Sequence, residues 1–152
     1  MRDSTDVPGA RSNVVANVLL CDDEHDATDA LASELERLGH VVTVARTCAE
    51  AFAAACAKDF DVLVAAPFLR DGSTLVLPSA LGIRRPRLTV LLGRMGDRLA
   101  PTVMRRAGFD RQLTKVVDAR HLDYLVRAAV AVVDAEPVEP APASDVGARS
   151  PR

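Results

Sequence analysis

Tryptophan is absent from this 152-residue chain, and one Tyr and four Phe bring the aromatics to only 3%. The core must then be built from Leu, Val and Ala, and the exposed rings on which single-stranded nucleic acid stacks are lacking. Net charge is almost absent too, at −2, so no whole-chain field draws the protein to nucleic acid or to a membrane surface. Cysteine is scarce and odd in number. Cys21, Cys48 and Cys56 sit in apolar segments, as buried free thiols do, and no CxxC or Cys/His cluster marks a metal site. No apolar run approaches the roughly 18–20 residues of a membrane span. The polar start, MRDSTDVPGARSN, lacks the apolar stretch of a secretory signal. A cytoplasmic protein is expected.

What is present is a globular composition, 49% hydrophobic and 26% charged, in a length that can bury one core. Residues 1–12 are polar and without periodicity, and after Asp134 the sequence becomes AEPVEPAPASDVGARSPR. A Pro/Ala-rich tail of that kind buries too little to pack, so 1–12 and 134–152 read as disordered and 13–133 as the domain. The tail is also too short and polar for an attached output domain.

Within the domain, strand-like and helical runs alternate. Val14 to Cys21 is an apolar run ending in acid. Glu24 to Leu38 is helical, with Ala27, Leu31, Leu35 and Leu38 on one face and Gly39 as its stop. His40 to Val44 is β-branched. Thr47 and Glu50 have capping-box spacing ahead of an Ala-rich helix to Lys58. Asp61 to Ala66 (DVLVAA) and Leu88 to Leu92 (LTVLL) read as strands buried on both faces. Between them, Leu75 to Ile83 is a weak helix broken near Pro78. Arg98 to Ala107 is helical with Pro101 in its first turn, and Phe109 to Thr114 is a last strand. Asp118 caps a final helix with Leu122, Leu125, Val126, Ala129 and Val133 in one stripe. Five strands and five helices in alternation imply an α/β three-layer sandwich around a parallel sheet, in the flavodoxin-like order 2-1-3-4-5.

In such a fold the chemistry sits where the strands end. Strand one ends in Cys21-Asp22-Asp23-Glu24, strand three in Ala65-Ala66-Pro67-Phe68, and strand five is followed by Lys115. This order of segments, LLCDDE, then FDVLVAAPFLRDGS, then GFDRQLTK, resembles the receiver domain of two-component response regulators, the CheY-like family. The resemblance runs from about Val18 to Val133 and implies five functional groups. They are an acid pair that holds Mg²⁺, a strand-three aspartate that accepts a phosphoryl group, a Ser/Thr hydroxyl, a lysine, and a switch aromatic.

Mapped onto this chain, the acid pair is Asp22 and Asp23 and the lysine is Lys115. The acceptor position holds Ala66, the hydroxyl position Leu92 and the switch position Gln112, and the proline that usually follows the lysine is Val116. The resemblance thus implies a pseudo-receiver without a catalytic residue. Phosphorylation at a displaced acid, Asp71 in the following loop or Asp23, would need a rearranged site. The acid pair fits either a weak residual Mg²⁺ site or a structural remnant in which Lys115 neutralises one carboxylate and the other caps the first helix. His25, His40 and His121 read as surface residues, and the cysteines as core.

Charge is unevenly placed. Asp22 to Asp61 carries ten acids against three bases, and Arg84 to Arg127 eleven bases against four acids. The basic half suggests a docking face for an acidic signalling or scaffold protein, or for a second copy, with Arg98, Leu99, Met104, Arg105, Arg106 and Arg111 as candidate contacts. Ordinary solvated arginine is the competing reading. Two further functions compete with this one. One is a small ligand in the pocket emptied around Asp22, Ala66 and Leu92. The other is a nucleotide-binding enzyme, which would need a Gly-rich loop where Cys21-Asp22-Asp23 stands.

Overall fold

The computed structural model describes residues 14–96 and 98–135, with side chains to 131. In chain order the elements are β1 (Asn17–Cys21), α1 (His25–Arg37), β2 (Val41–Ala45), α2 (Cys48–Ala57), β3 (Val62–Ala65), and a small hairpin, β4 (Phe68–Leu69) and β5 (Gly72–Ser73). There follow α3 (Leu77–Leu81), β6 (Leu88–Gly93), α4 (Pro101–Arg106), β7 (Arg111–Thr114) and α5 (Ala119–Ala135). The main sheet runs β2-β1-β3-β6-β7 with every pairing parallel. Setting the hairpin aside, this is the expected 2-1-3-4-5 order.

Side-chain alternation divides the core into two layers. Val18 and Leu20 of β1, Val62 and Val64 of β3, and Leu88, Val90 and Leu92 of β6 meet Leu35 of α1 and Leu122 and Val126 of α5. Their neighbours Leu19, Cys21, Leu63, Ala65 and Leu91 face the other way, against Ala51 and Ala55 of α2, Leu77 of α3 and Met104 of α4. A strand buried on both faces has no polar position to alternate with, which explains the continuous apolar runs in the sequence.

Several local expectations shift. The buried stripe of α1 is Thr28, Ala32 and Leu35, one position round from the expected one, and Ala27 faces solvent. Pro78 begins α3 rather than breaking it, because a first-turn proline gives up no helical hydrogen bond. Thr47 does cap α2, accepting from the Glu50 N–H at 3.1 Å, but the Glu50 carboxylate reaches Arg46 N–H rather than the cap residue. Asp118 accepts from Arg120 N–H at the start of α5. That helix runs to Ala135, two residues into the segment expected as tail. Residues 1–12 and 136–152 lie outside the described residues, as does the side chain of Val133.

Two expectations about single residues are corrected. His40 is buried, not a surface residue. Its Nδ1 accepts the Ala16 N–H at 3.1 Å and its Nε2 meets Asp123 Oδ1 at 2.6 Å, so it joins the residue leading into β1 to α5. Asp123 is held in turn by Arg127 Nε at 2.9 and 3.0 Å. Cys56 is exposed, whereas Cys21 is buried and Cys48 half-buried. Burial pushes the Cys21 thiol far above its ordinary value, so it is an inert core group.

Candidate functional site

The carboxyl ends of β1, β3 and β6 and the loop after β7 surround a pocket of about 240 Å³, lined by Asp22, Asp23, Ala66, Pro67, Phe68, Leu92, Arg94 and Lys115. The fold therefore brings together five of the six positions that the resemblance singled out. The sixth, Gln112, lies apart on β7.

Asp22 and Asp23 do not act as a pair. Asp22 is only 3% exposed and follows Leu20 on the α1/α5 side of the sheet. Its Oδ2 lies 2.5 Å from Lys115 Nζ, and its Oδ1 accepts the Glu24 N–H at 3.2 Å. The second partner of Lys115 is not Asp23 but Glu24, at 2.8 Å. Glu24 also receives Arg94 from the loop after β6. Burial works against the Lys115 cation, but hydrogen bonds to Asp22 and Glu24 and their charges outweigh it and hold the lysine pKa above its ordinary value. The hydrogen bond and charge of Lys115, with Arg94 behind them, hold Glu24 below the usual carboxylate range. The expected cap of the first helix is not found either. Glu24 is the cap residue of α1, and no side chain caps there.

The remaining positions are apolar or committed elsewhere. Ala66 offers no side-chain oxygen. Its N–H donates to Cys21 O at 2.9 Å, and its carbonyl accepts from the buried hydroxyl of Thr74 at 2.6 Å, which fixes the following loop. Leu92 is 2% exposed and belongs to the α1/α5 core layer. Gln112 acts as a clamp. Its Oε1 accepts the Leu99 N–H at 2.7 Å and its Nε2 donates to Leu99 O at 3.0 Å, tying β7 to the loop before α4. Asp71 points away from the pocket and caps α2, accepting from Cys48 N–H at 2.7 Å and Ala49 N–H at 3.1 Å. Those two amides hold its carboxyl below the usual range.

Magnesium, which the resemblance implies, does not fit the groups present. It needs hard oxygen ligands with charge to give. Asp22 is neutralised by Lys115, position 66 offers no carboxylate, and Asp23 is the one other carboxylate lining the pocket among the described residues. Among the described residues no cluster of three His, Cys, Asp or Glu could hold a metal.

The basic region lies around the β7 edge, with α4 on one face of the sheet and α5 on the other. Arg98, Arg105, Arg106 and Arg111 are exposed and Leu99 is half-buried. Met104 is not a surface contact. It is 6% exposed, because it is the inward residue of a six-residue helix that packs on Phe109 and Leu77. The exposed apolar residue of α4 is Val103, at 49%. Sequence reasoning missed the roles of Glu24 and Arg94. The signal for Glu24 was a third consecutive acid; Arg94 offered none beyond its place after β6.

No protein-family model matches the sequence, and no curated protein matches it. Solved structures do. The chain is similar to a response regulator protein from Burkholderia pseudomallei whose crystal structure holds a phosphorylated aspartic acid, a calcium ion and citrate. Identity is 25% and the TM-score 0.64, over 80% of this chain and 72% of that one. It is also similar to a CheY-like response regulator receiver domain protein from Methanospirillum hungatei JF-1, at 21% identity and TM-score 0.71, over 81% of this chain and 99% of that one. A third is a two-component response regulator from Clostridium difficile, at 20% identity and TM-score 0.68, covering 78% and 98%. The fold is that of CheY-like receiver domains. Among the described residues no helix is long and apolar enough to cross a membrane.

Proposed function

We propose that this chain is a pseudo-receiver: a cytoplasmic, non-enzymatic signalling module that takes no phosphoryl group and works by binding a partner protein. The observation that carries the reading is the pocket itself. Ala66 has no nucleophile, and the lysine that would meet a phosphoryl oxygen is already closed onto Asp22 and Glu24. Asp71, the alternative acid in the following loop, is engaged by the Cys48 and Ala49 amides at the start of α2. The Gln112–Leu99 clamp supports the same reading, since a switch position that is hydrogen-bonded twice to one backbone residue favours a single state of that loop.

The partner surface is the basic β7 edge, where α4 exposes Val103, Arg105 and Arg106 and β7 exposes Arg111, and its complement is an acidic protein or a second copy. The first experiment is incubation with acetyl phosphate and Mg²⁺, or with beryllofluoride, read by intact mass and amide shifts. No adduct and no shift is the expected result, and a specific Mg²⁺-dependent adduct overturns the reading. Once a partner is in hand, reversal of Arg105 and Arg106 to Glu should weaken its binding at least tenfold. Unchanged binding moves the docking face elsewhere.

A further inference from the structure

A second concavity lies across Lys115 from the Ala66 pocket. Its volume is about 220 Å³. One wall is α1, through Ala27, Thr28 and Leu31; the other is the loop from β7 into α5, through Val117 and Ala119; Leu92 is part of the floor. The alanines leave the space open: any larger side chain at 27 or 119 would enter it. Val116, also lining it, is 94% exposed, so a branched apolar side chain stands in water at its mouth.

Two further observations narrow what fits. The charges at the mouth are already balanced, Lys115 against Asp22 and Glu24, Arg94 against Glu24, and Glu34 against Arg37. An ionic ligand would have to break one of those pairs; a neutral one would not. Thr28, in the α1 wall, is 2% exposed, and its hydroxyl has no hydrogen-bond partner. Buried hydroxyls are nearly always paired. Threonine in a helix has two accessible χ1 rotamers, so a turn about χ1 can present this hydroxyl to the groove.

We propose that this groove binds a small neutral aromatic molecule of the indole class, two fused rings carrying one hydrogen-bonding group that meets Thr28. An apolar cavity of about 150 Å³ holds benzene, and the additional volume has room for a second ring. The rings lie between Ala27, Leu31, Leu92 and Val117, and Val116 covers them. The groove shares Asp22, Leu92 and Lys115 with the Ala66 pocket but opens toward α1 and the loop into α5, and the pseudo-receiver reading does not rest on its occupancy, so its failure leaves that reading standing.

The probe is indole, added to the full-length ¹⁵N-labelled chain; because the chain has no Trp, the ligand's own emission also reports binding. Expected is a saturable interaction in about the millimolar range or tighter, as a ligand of this size allows, with the largest amide shifts at Thr28, Leu31, Val117 and Ala119. Ala27→Leu, an exposed helix position that leaves the core intact, should weaken binding at least fivefold. Thr28→Val should weaken indole but not indene, which has the same rings and no N–H, so unaltered indene binding also shows that the variant is folded. Shifts that stay linear to about 10 mM or scatter over the surface, or an Ala27→Leu variant that binds as wild type, overturn the site. Equal loss or equal retention of both ligands in Thr28→Val overturns the role of the hydroxyl.

Discussion

Replacing Lys115 with Met tests whether the acid cluster is a charge-balanced structural element. Methionine keeps much of the apolar stem and removes the cation, so the change reads electrostatics more than packing. The side chain of Asp22 is 4% exposed and that of Lys115 14%. Removing one partner of a buried ion pair typically costs about 3–5 kcal/mol, because the other charge is stranded. Here the cost falls to the bottom of that range or below it. Asp22 keeps the Glu24 amide, the neighbouring pocket admits water, and Glu24 keeps Arg94. A loss of about 2–3 kcal/mol is expected, which for a domain of this size lowers Tm by about 8–12 °C.

The pH dependence follows from the directions of the shifts. The Lys115 pKa is raised, so its contribution is complete below the ordinary value of 10.5 and is lost as pH climbs through the higher folded value. The Glu24 pKa is lowered, so its contribution is present above the ordinary 4.5 and is lost as pH falls through the lower folded value. The stability difference between wild type and Lys115→Met should therefore be flat between those limits. It should shrink in acid, as Glu24 takes up its proton, and again in strong alkali, as Lys115 loses its own. Adding Asp22→Leu to Lys115→Met should recover most of the loss, since no buried charge then lacks a partner. Thermal melts and urea unfolding at several pH values measure all of this. A Lys115→Met variant that melts no lower than wild type at pH 7 refutes the pairing argument.

Three further outcomes follow from the hydrogen-bond geometry. His40→Phe strands the Ala16 N–H and the Asp123 carboxylate and should cost about 2–3 kcal/mol in urea unfolding, whereas His25→Phe, at an exposed position, should change stability by no more than about 0.5 kcal/mol; equal effects would refute the network. Gln112→Ala releases both Leu99 backbone groups, so the Leu99 amide should exchange at least about fivefold faster, equivalent to about 1 kcal/mol, and unchanged protection would mean the clamp does not hold the loop. Asp71→Ala frees the Cys48 and Ala49 amides at the start of α2, leaving only the Thr47 cap, and should lower Tm at pH 7. Because the Asp71 pKa is lowered, the difference should fade as pH drops below the ordinary 3.8, and a difference that persists in acid would count against the cap.

The sheet was legible because strands buried on both faces leave long apolar runs, and those runs keep their order along the chain. The limits of legibility are physical. The α1 stripe was read one position off because hydrophobicity ranks Ala27 and Leu38 above Thr28, while packing selects whichever small side chain meets the sheet. The β4–β5 hairpin has strands of two residues, too short for any period. His40 could not be recognised as a core residue, since the Asp123 that satisfies it lies 83 positions away.

The candidate site shows the same limit at closer range. By position, Asp22 and Asp23 are an acid pair; in space they are not equivalent, because successive residues at a strand end turn to opposite sides. Asp22 continues the side of Leu20, where Lys115 arrives from the loop after β7, whereas Asp23 turns to the pocket formed by Ala66, Pro67 and Phe68. The lysine then completes its coordination with the next acid on its own side, Glu24, and Glu24 in turn recruits Arg94. Position 66 carries no carboxylate, and beside it lies a closed set of two acids and two bases. That closure leaves Asp22 and Lys115 engaged with each other and with Glu24 rather than free in the pocket.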